Sequence, residues 1–287
     1  MTNHKKIGLI AGSGKFPLLF AEEARKLGVS VIAIGMPGIT DPKLESLVSR
    51  LYYFKLGQIS KPIETFKKEG VSQAVMAGKV QHASLFGGIS PDLRAAKILW
   101  RAKDRRTDTL LGEIASELQS EGIELLPSTT FLSHLLVSEG ILSQRKPTQE
   151  ELEDILIGWK AAKAVAAFDI GQTVVSKEKA IVAVEAMEGT DACIMRAKEI
   201  VRARGKKPSL VVVKVAKPKQ DLRFDIPIIG LETLKVFSQA SVSALALEAR
   251  SVMIFDKEQF IQEVNQQKIA LVSYPSTGPT ENKYELK

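Results

Sequence analysis

The chain has 287 residues, of which 45% are apolar and 25% charged, with a formal net charge of +7. That length and balance predict two globular cores and exclude a disordered or fibrous chain. A single cysteine, Cys193, and three histidines exclude a disulfide framework and a cysteine-rich zinc site.

Apolar runs all fall short of the roughly 18 residues a membrane helix needs. MTNHKK leads straight into a strand-like run without the apolar core of a signal peptide, so a cytoplasmic location is expected. The positive charge favours an anionic partner. Its cations are scattered, the densest group being Arg101, Lys103, Arg105 and Arg106, and no nucleic-acid-binding motif accompanies them. Nucleic acid is therefore not an expected partner.

In chain order, Ile7–Ala11 reads as a strand, a glycine turn follows, Pro17–Leu27 reads as a helix, and 29–34 as a second strand. This alternation predicts an open parallel sheet. A helix near 63–69 stops at Gly70, and VSQAVMAG is the next strand. SPDLRAAKILWRA predicts a helix with Ser90 as N-cap and Pro91 in its first turn, and TDTLLGEIASELQSEG a second one ending at Gly122. IELLP predicts a short strand, and SHLLVSEG a helix.

The polar stretch 143–150, with Pro147, is the expected linker. Beyond it TQEELEDILIGWKAAKAVAAFD predicts a long helix, with Thr148 and Glu151 as a capping box. QTVVSKEKAIVAVEAM reads as a hairpin turning at SKEK. TDACIMRAKEIVRARG, IGLETLKVFSQA and DKEQFIQEVNQQ, capped by Asp256, predict helices alternating with strands at PSLVVVKVA, ALALEARSVMIF and IALVSY. The expected architecture is α/β in two domains. A Rossmann-like open parallel sheet fills 1–142, an α/β catalytic domain with a hairpin fills 151–275, and 276–287 is a polar tail expected to fray.

The first candidate site is the turn Gly12-Ser13-Gly14, between strand and helix, where backbone amides and a helix N-terminus suit an anion. Pro17 stands where the dinucleotide fingerprint wants Gly or Ala, and no acidic residue closes the second strand, which disfavours a nicotinamide cofactor. Phe16 after Gly14-Lys15 disfavours a P-loop. The bland reading is a tight turn. Lys79, just past a strand, is a second candidate phosphate contact, with a solvated lysine as its alternative. His82, His134 and the stretch Asp104, Arg105, Arg106, Asp108 rank lower.

Two acidic clusters are more informative. VEAMEGTDACIMR sets Glu185, Glu188 and Asp191 around Gly189-Thr190 at a strand-to-helix passage, and QDLRFDIPIIG sets Asp221 and Asp225 around Arg223. Alternation along an extended DLRFD would bring Asp221, Arg223 and Asp225 to one face. Carboxylates gathered so can hold a hard cation while arginine grips a phosphate and one carboxylate deprotonates water. The plain alternative is a surface ion pair between Asp221 and Arg223, with Asp191 serving only the helix end.

The motifs IGLIAGSGKFPLL, MAGKVQ, RRTDTLL, AFDIGQTVVSKEKAIVAVEAMEGTDACIMR, LVVVKVAKPKQDLRFDIPIIGLET and LALEARSVMIFDKEQF, in that order, resemble the LpxI-type UDP-2,3-diacylglucosamine pyrophosphatases over about residues 5–275. The resemblance implies a lipid A pathway enzyme that hydrolyses UDP-2,3-diacylglucosamine to 2,3-diacylglucosamine 1-phosphate and UMP with Mg²⁺ or Mn²⁺. It implies an essential aspartate at Asp225, water attack on the sugar-side phosphorus, and a homodimer.

The expected mechanism places a metal on Asp225 with help from Asp221 or from Glu188 and Asp191, Arg223 on the developing charge, and the amides of Gly12, Ser13, Gly14, Gly189 and Thr190 on the phosphoryl oxygens or sugar. The lipid substrate and the positive charge together imply a transient, peripheral association with the inner membrane. The rival readings are another Mg²⁺-dependent sugar-nucleotide enzyme, such as a glycosyltransferase, and a non-catalytic protein that binds an anion.

Overall fold

The computed structural model describes residues 5–80, 91–103, 107–205, 209–218, 220–224 and 226–279, and of Thr107 and Asp108 only the backbone. The chain divides into two compact units, 1–133 with 221–225, and 134–220 with 226–287.

The first unit is built on five parallel strands, β1 (Lys6–Ala11), β2 (Ser30–Gly35), β3 (Arg50–Tyr53), β4 (Gln73–Ala77) and β5 (Glu124–Leu125), in the order β3-β2-β1-β4-β5. Its helices are α1 (Phe16–Lys26), α2 (Ser60–Lys68), α3 (Leu93–Arg101) and α4 (Thr107–Ser120). This is the expected Rossmann-type sheet. Strand order reverses between β1 and β4, so the crevice where such sheets bind ligands lies beyond the carboxyl ends of those two strands.

On one face α2 and α4 seal the sheet with Ile63, Phe66, Ala115 and Leu118 against Ile32, Ile34, Ala74 and Leu125. Gly8 admits the Phe66 ring, since a Cβ there would stand 2.9 Å from its Cζ.

Helix α3 starts at Leu93 and is capped by Asp92, not by Ser90, which lies outside the described residues. Asp92 serves two helices, accepting from Ala95 N–H with one oxygen and from Ile59 and Ser60 N–H with the other. Burial alone would raise its pKa, but the three amides outweigh that and hold the carboxyl below its ordinary value.

In the second unit a six-stranded mixed sheet runs β6-β13-β11-β9-β7-β8. Its strands are β6 (Gly140–Ile141), β7 (Thr173–Lys177), β8 (Ala180–Val184), β9 (Leu210–Lys214), β11 (Val242–Glu248) and β13 (Ala270–Tyr274). Strands β9, β11 and β13 are parallel, while β6, β7 and β8 each run antiparallel to a neighbour. A separate parallel pair joins β10 (Ile228–Ile229) to β12 (Met253–Ile254).

Alternation assigns the faces. Leu210 and Val212 of β9, with Leu245, Leu247 and Leu271, meet α6 (Thr190–Ala203), α7 (Leu231–Ala240) and α8 (Lys257–Gln266). Val211, Val213, Ala244, Ala246 and Ala270 meet α5 (Gln149–Ala167) on the other face. The small side chains let α5 lie close, and a Cβ at Gly158 would come within 2.8 Å of Val213.

Three expectations change here. The segment expected as a linker at 143–150 is part of the second unit: Arg145 pairs with Glu151 at 2.8 Å and its Nε donates to Lys268 O, while Gln144 N–H donates to Asn265. The expected helix at SHLLVSEG is a short 3-10 turn, Ser133–Leu135, followed by β6, which finds its partner only across the chain in β13. Asp256 occupies the N-cap position of α8 in a left-handed conformation, without a side-chain capping bond. The Thr148–Glu151 capping box on α5 forms as expected.

The hairpin β7–β8 turns at Glu178 and Lys179, both at positive φ (51° and 60°), the geometry of a tight primed turn that favours Gly or Asn. Asp154 on α5 compensates: its carboxylate accepts from both turn amides. Asp154→Ala leaves those two donors without their acceptor and should lower stability by about 1–3 kcal/mol in denaturant unfolding.

Candidate active site

The carboxyl edge of the first sheet carries two of the expected groups. Gly12-Ser13-Gly14 leaves β1 and Gly78-Lys79 leaves β4, and the two loops are tied to each other. Gly12 N–H donates to Ala77 O at 2.8 Å, Ser13 N–H to Lys79 O at 2.8 Å, and Lys79 N–H to Ser13 O at 3.0 Å. The Ser13 hydroxyl also donates to Lys79 O.

Two of the three loop amides expected to face a phosphate are thus engaged with the neighbouring strand end. What remains for an anion is the exposed Gly14 turn at φ 90°, the exposed Lys79 side chain, and the start of α1, whose first turn holds no acidic residue. Gly12 is set by proximity: a Cβ there would lie 2.7 Å from Lys79 O, against backbone that cannot swing aside. Gly12→Ala should pry the two loops apart, costing about 1–3 kcal/mol of stability and weakening any anion bound at this edge, as a thermal-shift titration with UMP would register.

The segment expected as an extended DLRFD is not extended. Residues 222–224 form a turn, closed by Phe224 N–H donating to Asp221 O at 3.1 Å. Asp221 accepts from Arg223 N–H and binds its guanidinium through both oxygens, at 3.0 and 2.7 Å. An aspartate side chain that captures the amide two residues on makes a turn of its own, and this local bond wins over strand alternation.

The Arg223 guanidinium holds the Asp221 carboxyl below its ordinary value, against the upward push of burial. It also lies over the Phe224 ring, 4.9 Å from the centroid. Asp225, the next residue, lies outside the described residues.

The turn belongs to the first unit. Ser128, fully buried just beyond β5, donates its N–H to Leu222 O at 2.7 Å and its hydroxyl to the carbonyls of Leu222 and Arg223 at 3.0 Å. Phe224 packs against the core formed by β2, α2, α4 and β5. In the strand order β1-β4-β5 the turn, fastened just beyond β5, lies on the same carboxyl edge as Lys79, one strand away, and the glycine loop, two strands away or about 10 Å at the usual interstrand spacing.

In the second unit Gly189, at φ 83°, caps α6 and Thr190 opens it. Glu188 is exposed and pairs with Arg196 at 2.5 Å; that pairing, with the Ala186 amide, holds its carboxyl below the ordinary range. Asp191 is exposed in the first helical turn. Among the described residues no three His, Cys, Asp or Glu side chains are placed to hold a metal ion.

Thr190 takes part in a network the acidic spacing did not foretell. Lys214, at the end of β9 and only 6% exposed, donates to the hydroxyls of Thr190 at 2.8 Å and Thr173 at 3.2 Å. Glu185 accepts from the Thr190 hydroxyl at 2.8 Å and from Gln172 N–H, and stands 4.0 Å from the Lys214 ammonium.

Burial pushes the Glu185 carboxyl upward, but Lys214, the two threonine hydroxyls and the Gln172 amide outweigh it and keep the pKa low. Lys214, Glu185 and Gln172, with Lys217, which pairs with Asp169 at 2.6 Å, line an open pocket of about 240 Å³. Gly171 is part of the lining, and a Cβ there would run into Glu185 O. The available signal was the lysine inside VVVKVA, because a cation in a buried strand must be paired.

Of the lower-ranked candidates, His134 sits in the 3-10 turn, while Arg101 of the cationic cluster pairs with Glu117 at 2.7 Å. His82, Asp104, Arg105, Arg106 and the Asp108 side chain lie outside the described residues.

A Rossmann-ordered sheet with a glycine turn and a lysine at its crossover, and a second α/β unit with a paired lysine–carboxylate pocket, define a two-unit α/β protein. Residues 6–135 match the LpxI N-terminal domain and residues 138–272 the LpxI C-terminal domain. The chain belongs to the LpxI family.

It is 29% identical over 263 residues to the UDP-2,3-diacylglucosamine pyrophosphatase LpxI of Caulobacter vibrioides, covering 90% of this chain and 93% of that one. Among solved structures, the biotin carboxylase domain of Hydrogenobacter thermophilus 2-oxoglutarate carboxylase overlaps at a TM-score of 0.28 and 13% identity, covering 70% of this chain and 42% of that chain. The biotin carboxylase subunit of a pyruvate carboxylase gives 0.28 and 12%, covering 73% and 44%. Overlaps this slight carry nothing about fold or ligand.

Proposed function

We propose that this protein hydrolyses the diphosphate of UDP-2,3-diacylglucosamine, releasing UMP and 2,3-diacylglucosamine 1-phosphate in lipid A biosynthesis. Full-length kinship with a relative of that name supports the reading. The single structural observation that carries it is the turn before Asp225, fastened by Ser128 and Phe224 to the sheet edge that bears Gly14 and Lys79.

On that edge Lys79 and the α1 N-terminus draw in the diphosphate. Arg223, oriented by Asp221, meets the charge that grows on the phosphoryl oxygens. Asp225 accepts the proton of the attacking water. In the second unit Lys214 and Glu185, both bonded to the Thr190 hydroxyl, line a polar pocket that suits the hydroxyl groups of a sugar or ribose, with Gly189 and Thr190 as the expected contacts.

Mg²⁺ is commonly held by one or two carboxylates and by the phosphate oxygens of its substrate. Held by Asp225, Mg²⁺ or Mn²⁺ would neutralise the diphosphate. A homodimer and a peripheral position at the inner membrane complete the proposal.

The test is product analysis with purified protein, UDP-2,3-diacylglucosamine and Mg²⁺, with and without chelator. UMP release that stops on chelation is expected. Release of UDP would indicate glycosyl transfer, and saturable binding without turnover a binding protein.

A further inference from the structure

Helix α3 is apolar on two opposite sides. Ala95 and Ile98 are buried in the first unit, while Arg94 and Arg101 reach across to Glu117 of α4 and Arg94 also to Glu121 just past it. The outer side carries Leu93, Ala96, Lys97 and Trp100, the i, i+3, i+4, i+7 spacing of one helical stripe. Leu93 is 84% exposed and Trp100 87%, with Leu99 at the stripe's margin 47% exposed. Lys97 and Lys103 are exposed, and neither forms an ion pair with a described residue.

Large side chains so fully in water call for a partner. Two features say which. A nine-residue helix is about 14 Å long, and one face of it falls well short of the roughly 800 Å² per subunit of a stable protein interface. Lysine is also depleted in such interfaces, whereas tryptophan and leucine on one side with lysines at the margin are the composition of helices lying in the headgroup layer of an anionic bilayer.

We propose that the outer face of α3 is the element that seats this protein on an anionic phospholipid surface, with Trp100 and Leu93 in the headgroup–acyl boundary and Lys97 and Lys103 over the phosphates. It rests on the proposed lipid substrate only in purpose, since docking to the surface and hydrolysis are separable.

The experiment is co-sedimentation of the intact protein with vesicles of phosphatidylglycerol and phosphatidylethanolamine, and with vesicles of phosphatidylcholine alone, without substrate. Tryptophan emission is read in parallel. The wild type should bind the anionic vesicles and shift its emission to the blue. Leu93→Ser/Trp100→Ser should bind about tenfold more weakly or worse, and Lys97→Glu/Lys103→Glu should lose the preference for anionic lipid.

Both variants should keep wild-type turnover of detergent-dispersed substrate. Equal vesicle binding by the wild type and the Leu93/Trp100 variant would overturn the proposal. So would a change from dimer to monomer in that variant with vesicle binding intact, which would give the face to a second copy of the chain. A protein that binds vesicles through α3 but releases no UMP would leave this inference standing and remove the substrate reading.

Discussion

Asp225→Asn is expected to slow UMP release by about 10²–10⁴-fold, the range lost when a general base is removed, while leaving the unfolding midpoint near that of the wild type. Asparagine keeps the shape of the side chain but cannot take up a proton. The neighbouring turn is fixed by groups the substitution does not touch: Asp221 closes it on Arg223, Ser128 holds two of its carbonyls, and Phe224 is set in the core.

Ser128→Ala separates position from chemistry. It removes the hydroxyl bonds to Leu222 and Arg223 but keeps Asp225, so it should lower kcat by a smaller factor, about tenfold, with little change in KM. Near-normal turnover by folded Asp225→Asn would remove the proposed role of that residue.

Lys214→Met should give the largest loss of stability, about 3 kcal/mol or more in the second unit, by denaturant unfolding. The substitution fills the space but leaves the largely buried Glu185 carboxylate without its cation at the edge of an open pocket, and strips a donor from Thr173 and Thr190.

The pH dependence supplies a check. In the wild type the Glu185 pKa is held low on folding, so its contribution is complete above the ordinary glutamate value of about 4.3 and fades as pH falls through the folded value. In the variant that contribution is gone. The stability gap should therefore be full at neutral pH and narrow below about pH 4. A gap that stays constant through that window would mean that the pair does not act through charge.

Periodicity made the regular parts legible before any coordinates. The β1–turn–α1–β2 alternation, the Thr148–Glu151 box and the β7–β8 hairpin are decided by neighbours in sequence, and each forms where expected. The two-residue strands β6, β10 and β12 are not, because they exist only through partners far along the chain. β3 was missed as well, since its half-exposed RLYY shows no clean alternation.

The chemistry followed the same division. Gly12, Gly14 and Lys79 could be placed by their strand ends. The course of 221–224 could not, because it depends on Ser128, 94 residues from Leu222, and because Asp221 captures an amide of its own segment. The Lys214 pocket gathers residues from the loop before β7, the segment just after β8, and the end of β9 with the loop beyond it, which no spacing rule connects.

Hydrolysis of UDP-2,3-diacylglucosamine by the intact protein in ¹⁸O-enriched water, with both products read by mass spectrometry, tests the central claim most directly. The account predicts UMP without label and 2,3-diacylglucosamine 1-phosphate carrying one ¹⁸O on its phosphate. Release of UDP, or no turnover with Mg²⁺ or Mn²⁺, would contradict it.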